Sequence, residues 1–587
     1  MNTLAHVDVV IVGGGWTGLA MAKEIATRTS QSVVVLERGG PARTNDEWAE
    51  GMDEVDALIR KRFMHNIAES ALTHRHSTKS QTKPIRQIGG GGASYASGVG
   101  GSGELWSAVV SRFLPEQFAL ATHLRQKYGA DKLPADITSQ DWGITYDELE
   151  PYYWRAEQML GVGGKAGNLR GKIVEGGNVF EGPRSHEYVN PPHPVPYFSA
   201  AFQKAAIELG YHPYPQPSAN LSRRYKNPDG VERAACEYCG YCGFFGCMVG
   251  AKATPTTTML PILKNKKNFT LRTNSCVRRI VHKDGKAAGV TYVDASGKEV
   301  MQPADVVIVA SWTLNNVQLL LLSGIGEPYD PDTGKGLVGK NLTQHVLHGM
   351  LVFFDKPMNN FMGAGGVGMA IADFAGDPPE PDVAAGVFRG GIIRTIQGGQ
   401  TPIGGFGAIP AGEVTSNWGS DWKKAGLKWY DKSAALSLAA AHFSYKQNFI
   451  DLDPVYKDKF GDPLVRMTLD WTDHDRREAA MIERVETSLA KAMGAKAYNS
   501  IKVVGEHYNL AQSTEPNTYG GAIQGTSPDS SVVNPWLQHW QIPNLWVIGG
   551  SSFPQSEVQG TLTMLATTYR AADALVDRYM KKPGALA

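Results

Sequence analysis

The chain opens on an apolar run of strand length, Val7 to Val12. Gly13-Gly14-Gly15-Trp16-Thr17-Gly18 follows at once, then a helix-like stretch, Leu19 to Ala26, then a second strand-like run, Ser32 to Leu36, ending in Glu37. In this strand–turn–helix–strand–acid pattern Gly13 allows the tight turn, Gly15 lets a pyrophosphate approach the backbone, and Gly18 permits close helix packing. A helix N-terminus at such a turn offers unpaired N–H groups and a favourable dipole to phosphates. Glu37 is placed to accept hydrogen bonds from the ribose hydroxyls of an adenine nucleotide. That spacing alone does not separate FAD from NAD.

Further along, the stretch around Val293 and the run Val306 to Ala310 read as strands, and Trp546 to Gly550 reads as a buried strand running into a glycine turn. Gly560-Thr561 then opens an amphipathic helix whose Leu562, Leu565, Tyr569, Ala572 and Val576 share one face. Asn359 to Thr401 is glycine-rich and reads as irregular. A second glycine element, Gln87-Ile88-Gly89-Gly90-Gly91-Gly92, continues to Gly98-Val99-Gly100-Gly101-Ser102-Gly103-Glu104-Leu105-Trp106. Such a run beside a bulky aromatic suits a backbone laid flat against a planar ring system, or else a surface loop.

At 587 residues the chain is long enough for two domains, and 42% hydrophobic with 20% charged residues is a globular composition. A net charge of +1 gives no electrostatic case for nucleic acid or an anionic membrane. The 66 glycines exceed the usual share of roughly 7% and cluster in the motifs above. Met1 to Asp8 carry no basic region or small-residue cleavage site, so no secretory signal is expected, and no run approaches about 18 apolar residues.

Four of the five cysteines form Cys236-x2-Cys239-x2-Cys242-x4-Cys247, and Cys276 stands apart in a strand-like stretch, where it reads as a buried thiol. Close, glycine-interrupted thiols suit one iron–sulfur cluster wrapped by a single loop. Structural zinc is the alternative, although zinc sites more often join two Cys pairs across a longer loop. Tyr238, Tyr241, Phe244, Phe245 and Met248 would keep water from such a cluster.

In Val9 to Gly18, Gly100 to Phe113 (GGSGELWSAVVSRF), Asp141 to Tyr153, Ala310 to Gly326, Val338 to His345 and Pro543 to Gly560 the chain resembles the glucose–methanol–choline (GMC) oxidoreductases, nearest to the flavoprotein subunits of membrane-bound gluconate and related sugar dehydrogenases. The resemblance implies an α/β fold with a discontinuous, Rossmann-like FAD-binding domain (residues 1–150, 226–345 with the cysteine loop, and 536–587). A substrate domain with an antiparallel sheet (151–225 and 346–535) completes it. It implies cofactor contacts at Gly13, Gly15, Trp16, Thr17, Gly18, Glu37, Arg38, Gly100, Gly101, Ser102, Trp106, Val277, Ser551, Gly560 and Thr561. The helix at Gly560 would point its N-terminus at the flavin pyrimidine, where its dipole favours negative charge. The relatives imply a three-iron (3Fe-4S) cluster on Cys236, Cys242 and Cys247, with Cys239 as a fourth thiol that leaves a four-iron cluster open.

Two departures stand out. Family members carry a catalytic His with a second His or Asn, yet the corresponding stretch, Ser513 to Gly521, has no histidine, and the second position falls in Gln555 to Gly560. The candidates for the proton-handling residues are therefore Glu557, Tyr519, Asn517, Gln559, His507 and His345. Some relatives bind FAD covalently through a His in the glycine–Trp stretch; here Leu105 precedes Trp106, so noncovalent FAD is expected. The reading is an FAD-dependent dehydrogenase of an alcohol group in a sugar, sugar acid or polyol, passing electrons through the cluster to a multihaem cytochrome c subunit. A flavin–Fe–S relay subunit and an oxidase are the alternatives. By resemblance a small subunit carries the export signal and places the enzyme on the periplasmic side of the bacterial inner membrane; without such a partner it stays in the cytoplasm.

Overall fold

The computed structural model describes residues 2–50, 71–85, 96–243, 245–360, 363, 366–396, 405–510 and 517–586. Gly89 to Gly92, Ser513 to Pro516, Phe244 and parts of the Asn359–Thr401 stretch lie outside the described residues.

Val9 to Val12 and all of Val33–Leu36 are buried, which fits central parallel strands covered on both faces. They pair in parallel with each other, Val9 opposite Val33, and Val33–Leu36 pairs onward with Phe269–Arg272. The long strand Glu299–Val309 does double duty. Its last residues pair in parallel with Val7–Val12 and, on the other side, with Leu545–Val547. Its first residues pair antiparallel with Lys286–Val293, which in turn pairs with Cys276–Lys283. One sheet thus draws strands from both ends and the middle of the chain, in the α/β arrangement the resemblance implied. Each fully buried Val or Ile here contributes roughly 1.5–3 kcal/mol. The helices Trp16–Arg28 and Thr561–Asp573 pack on each other beside it.

The second sheet is antiparallel, with strand order Ala497–Lys502, His345–Phe353, Ser433–Ala441, Gly391–Ile396, Met369–Ile371 and Tyr214–Pro215. The helix Asp473–Ala492 packs against its His345–Phe353 strand, and Tyr197–Glu208 against Met369–Ile371 and Gly391–Ile396. Here the expectation of an irregular Asn359–Thr401 is corrected. Glycines obscure the alternation locally, but Ile392, Ile393 and Thr395 find a pairing surface in Ala435 to Ala440 that only the folded chain supplies. Among the described residues no helix is long and apolar enough to cross a membrane.

Candidate active site and cysteine loop

A cavity of about 800 Å³ runs between the two sheets, and the glycine turn forms one end of it. Gly13 sits at φ +105°, and a Cβ there would come within 2.5 Å of the Ala310 carbonyl oxygen. A side chain at Gly18 would collide with the Gly13 carbonyl, whereas Gly15 faces open space. The helix Trp16–Arg28 begins at Gly15 with no side-chain cap, so its first N–H groups remain for an anionic ligand. Glu37 lines the cavity and is buried; its carboxylate accepts from the N–H of Gly14 and of Gly39, both at 2.9 Å. It therefore shapes the turn as well as lining the cavity.

Gly100, Gly101, Ser102, Trp106, Arg38, Val277 and Thr561 line the same cavity together with Gly13, Gly15, Trp16 and Thr17. The Gly100 N–H donates to the Gly14 carbonyl at 2.8 Å, locking the two glycine elements together. Trp16 and Trp106 meet edge to face at 5.2 Å. Gly18, Ser551 and Gly560 support the wall from behind: Ser551 accepts from Asn316 Nδ2, and Gly560 packs against Tyr519. Cys276, read as a buried thiol, is half-buried and borders the cavity. The second sheet contributes Leu347, Arg394 and Ser437 from adjacent strands.

The candidate proton-handling residues separate cleanly. Asn517, Tyr519 and Gln559 line the cavity; Glu557, His507 and His345 do not. His507 is half-exposed, bonds Asp470 through Nδ1 at 2.7 Å and stacks on His76 at 4.5 Å. His345 is buried, donates through Nε2 to the Glu557 carbonyl at 3.0 Å, and lies beside the Tyr519 ring, 5.8 Å between centroids. Tyr519 in turn stacks flat on Phe553 at 5.2 Å.

Glu557 points away from the cavity into a buried polar chamber. Its carboxylate is fully buried, pairs with Arg389 at 2.5 Å, and burial pushes its pKa up to about 7 against the pull of that guanidinium. Asp475 pairs with His442 at 3.3 Å, while neither carboxylate oxygen of Glu478 has a hydrogen-bond partner among the described residues. Burial drives the Glu478 carboxyl well above its ordinary range, and Asp475 beside it adds to the rise. His474, Asp475 and Glu478 lie close enough to share an ion. However, His474 Nε2 accepts from the Phe388 N–H at 3.1 Å, which puts the ring proton on Nδ1 and presents the acids with a donor, not a lone pair.

The cysteine loop meets the cavity: Gly240, Cys242, Gly243 and Phe245 form part of its wall. Cys242 is buried, Cys236 and Cys247 half-buried and Cys239 exposed. Burial pushes the Cys236 thiol up to about 11, and Cys247 and Cys239 nearby push the same way. Tyr238, at φ +56°, turns the loop and places its N–H 3.4 Å from Cys236 Sγ. Close behind the loop lies a side chain that sequence reasoning missed. Lys252 is 0% exposed and donates to three carbonyls, Cys242 at 3.0 Å, Phe245 at 2.7 Å and Trp106 at 3.0 Å. No local pattern marks it, because a lysine five residues past the last cysteine reads as solvent-facing.

A nucleotide cradle and a substrate sheet enclosing one cavity define a flavin-dependent oxidoreductase. Family models for the GMC oxidoreductase match residues 197–347 and 444–568, and one for an FAD binding domain matches 8–83. The chain is 38% identical to the gluconate 2-dehydrogenase flavoprotein of Pantoea cypripedii, over 100% of this chain and 96% of that one. It is 26% identical to the fructose dehydrogenase large subunit of Gluconobacter japonicus, over 98% and 99%. Pyridoxine 4-oxidase from Mesorbium loti shares the fold, with a TM-score of 0.59 over 98% of this chain and 100% of that one at 16% identity. The chain belongs to the GMC oxidoreductase family. It is an FAD-dependent dehydrogenase acting on CH–OH groups.

Proposed function

We propose that this dehydrogenase oxidises an alcohol group of a sugar, sugar acid or polyol and delivers the electrons through an iron–sulfur cluster on Cys236, Cys242 and Cys247, with Cys239 as a fourth available thiol. The observation that carries the reading is the single cavity walled at once by the glycine cradle, by Cys242 and by the second sheet. The chain's similarity to proteins named for gluconate and fructose supports the substrate class. Gly13, Gly15, Glu37, Gly100 and Trp106 would hold the FAD, and the open helix N-terminus fits its pyrophosphate. Bound FAD supplies the hydride acceptor, and a bound cluster supplies one-electron transfer.

The chain's own part in the reaction is to orient the alcohol and remove its proton. The side-chain amides of Asn517 and Gln559 orient the hydroxyl on the cavity wall. Tyr519 on the cavity wall and His345 behind it, their rings 5.8 Å apart, are the side chains offered for the proton. The Nε2–H bond of His345 to the Glu557 carbonyl sets the tautomer so that Nδ1 is the basic nitrogen. Glu557 itself supports this pair from the chamber and does not meet the substrate. The partners in this reading are a small subunit with an export signal and a multihaem cytochrome c, on the periplasmic side of the inner membrane.

The test is an anaerobic screen of sugars, sugar acids and polyols for bleaching of the flavin absorbance, with iron, sulfide and zinc analysis of the same protein. Bleaching together with iron and sulfide is expected. Zinc without iron, or peroxide formed stoichiometrically in air, overturns the electron route. Tyr519→Phe should slow bleaching at least about tenfold while FAD stays bound. Acid precipitation should release the FAD, since Leu105 stands where a covalent link would need a histidine; flavin retained in the pellet contradicts that.

A further inference from the structure

Two buried cations stand against the cysteine loop. Lys252 is 0% and Arg233 5% exposed, and the hydrogen bonds of both run to backbone carbonyls among the described residues. Arg233 donates to the carbonyls of Ala251, at 3.2 Å, and Leu160, at 2.5 Å. Lys252 spends its donors on the three carbonyls described above, one from the flavin-side segment and two from the cysteine loop. Burial lowers the Arg233 pKa to about 10, with Cys247 and Tyr225 pulling the other way. The acid that Lys252 feels is Glu104, which is buried and hydrogen-bonded to Thr256 at 2.8 Å through its hydroxyl. Uncompensated buried charge is costly, so a fold keeps it only where an anion answers it.

We propose that Lys252, seconded by Arg233, is the fixed counter-charge of an anionic, thiolate-ligated cluster, and that Lys252 sets the potential of that cluster while tying it to the flavin wall through the Trp106 carbonyl. This rests on the electron route proposed above. Lys252 is a positioning residue: its donors are all taken by backbone, so it acts by field and by holding the loop. A buried positive charge stabilises the reduced, more negative cluster, because the protein interior screens it little. Removing that charge makes the cluster harder to reduce.

The experiment is a redox titration of the purified holoenzyme followed by electron paramagnetic resonance, on the parent, Lys252→Gln, Lys252→Arg and Glu104→Gln. Lys252→Gln should keep its iron and shift the cluster's reduction equilibrium at least about tenfold, roughly 59 mV, toward the oxidised form. Lys252→Arg should restore it, and Glu104→Gln, titrated above pH 8 where the carboxyl that burial pushes up to about 7 is ionised, should shift it the other way. The opposed signs keep the test decisive should Lys252→Gln fail to fold. A parent that holds zinc or no iron overturns the electron-route reading itself. A parent that holds the cluster, with potentials unmoved by Lys252→Gln and Glu104→Gln, leaves that reading intact and refutes the counter-charge role.

Discussion

Among the described residues, Lys252 and Arg233 set two buried cations beneath the cysteine loop against one carboxyl, Glu104, while in the chamber beside Gln559 the carboxyls of Asp475, Glu478 and Glu557 face the Arg389 guanidinium and the His442 ring. The two imbalances resolve by different chemistry. An excess of acid corrects itself by taking up protons, and burial raises Glu478 and Glu557 accordingly, while the neighbouring imidazole of His442 holds Asp475 low. An excess of cation has no such route when one member is an arginine, whose pKa of about 10 keeps it charged at neutral pH. Unpartnered buried acids therefore need no ligand, whereas unpartnered buried cations call for an anion. A third cluster pairs its charges directly: Arg112 bonds Glu157 at 2.9 Å and Glu150 at 2.8 Å, Arg184 bonds Glu157 at 2.6 Å, and burial raises the remaining acid, Glu181, 3.6 Å from Arg184.

The hardest break to the comparison removes the proposed anion. Cys242→Ser should lower the iron content and cut reduction of a one-electron acceptor by about a hundredfold or more, while substrate still bleaches the flavin without air. Acceptor reduction at the parent rate would place the cluster off the route. On the acid side, Arg389→Met removes the guanidinium paired with Glu557 and should cost about 3–5 kcal/mol in denaturant unfolding. A loss under about 1 kcal/mol would show that protonation alone already balances the chamber.

Glu37 sharpens the contrast, since it is a buried acid with partners on both oxygens. Glu37→Ala should weaken FAD binding by roughly 1.5–3 kcal/mol, measured as flavin retained on dilution. Undiminished retention would mean the turn holds its shape through Gly100 alone.

The smallest effect is the most diagnostic of the acid cluster. The folded-state pKa of Glu478 lies above its unfolded value, so its contribution to stability is complete below the ordinary glutamate range and is lost as pH rises through the folded value. Glu478→Gln, which carries no proton to lose, should be about 1 kcal/mol more stable than the parent at pH 8, with the gap closing toward pH 5. A difference independent of pH would show that Glu478 is ionised in the folded protein throughout.

What could be read along the chain was whatever local spacing determines. The Val7–Val12 strand, the Gly13-to-Gly18 turn, Glu37 and the helix opening at Gly560 follow from periodicity and steric need within a few residues, and the structure places them as expected. The glycine–Trp segment was legible only as far as a choice between a ring-facing backbone and a surface loop, and the folded chain set Gly100 to Ser102 and Trp106 on the cavity wall. What only the folded chain decided were relations between distant segments. It brought Asn517, Tyr519 and Gln559 to the cavity wall and turned Glu557, two residues from Gln559, inward to Arg389. It made a strand of Gly391–Ile396 by pairing it with Ser433–Ala441. It also buried Lys252 beneath a loop whose Cys242 and Phe245 carbonyls it bonds, because burial and electrostatic balance are set by which segments meet, and no short stretch of sequence carries that information.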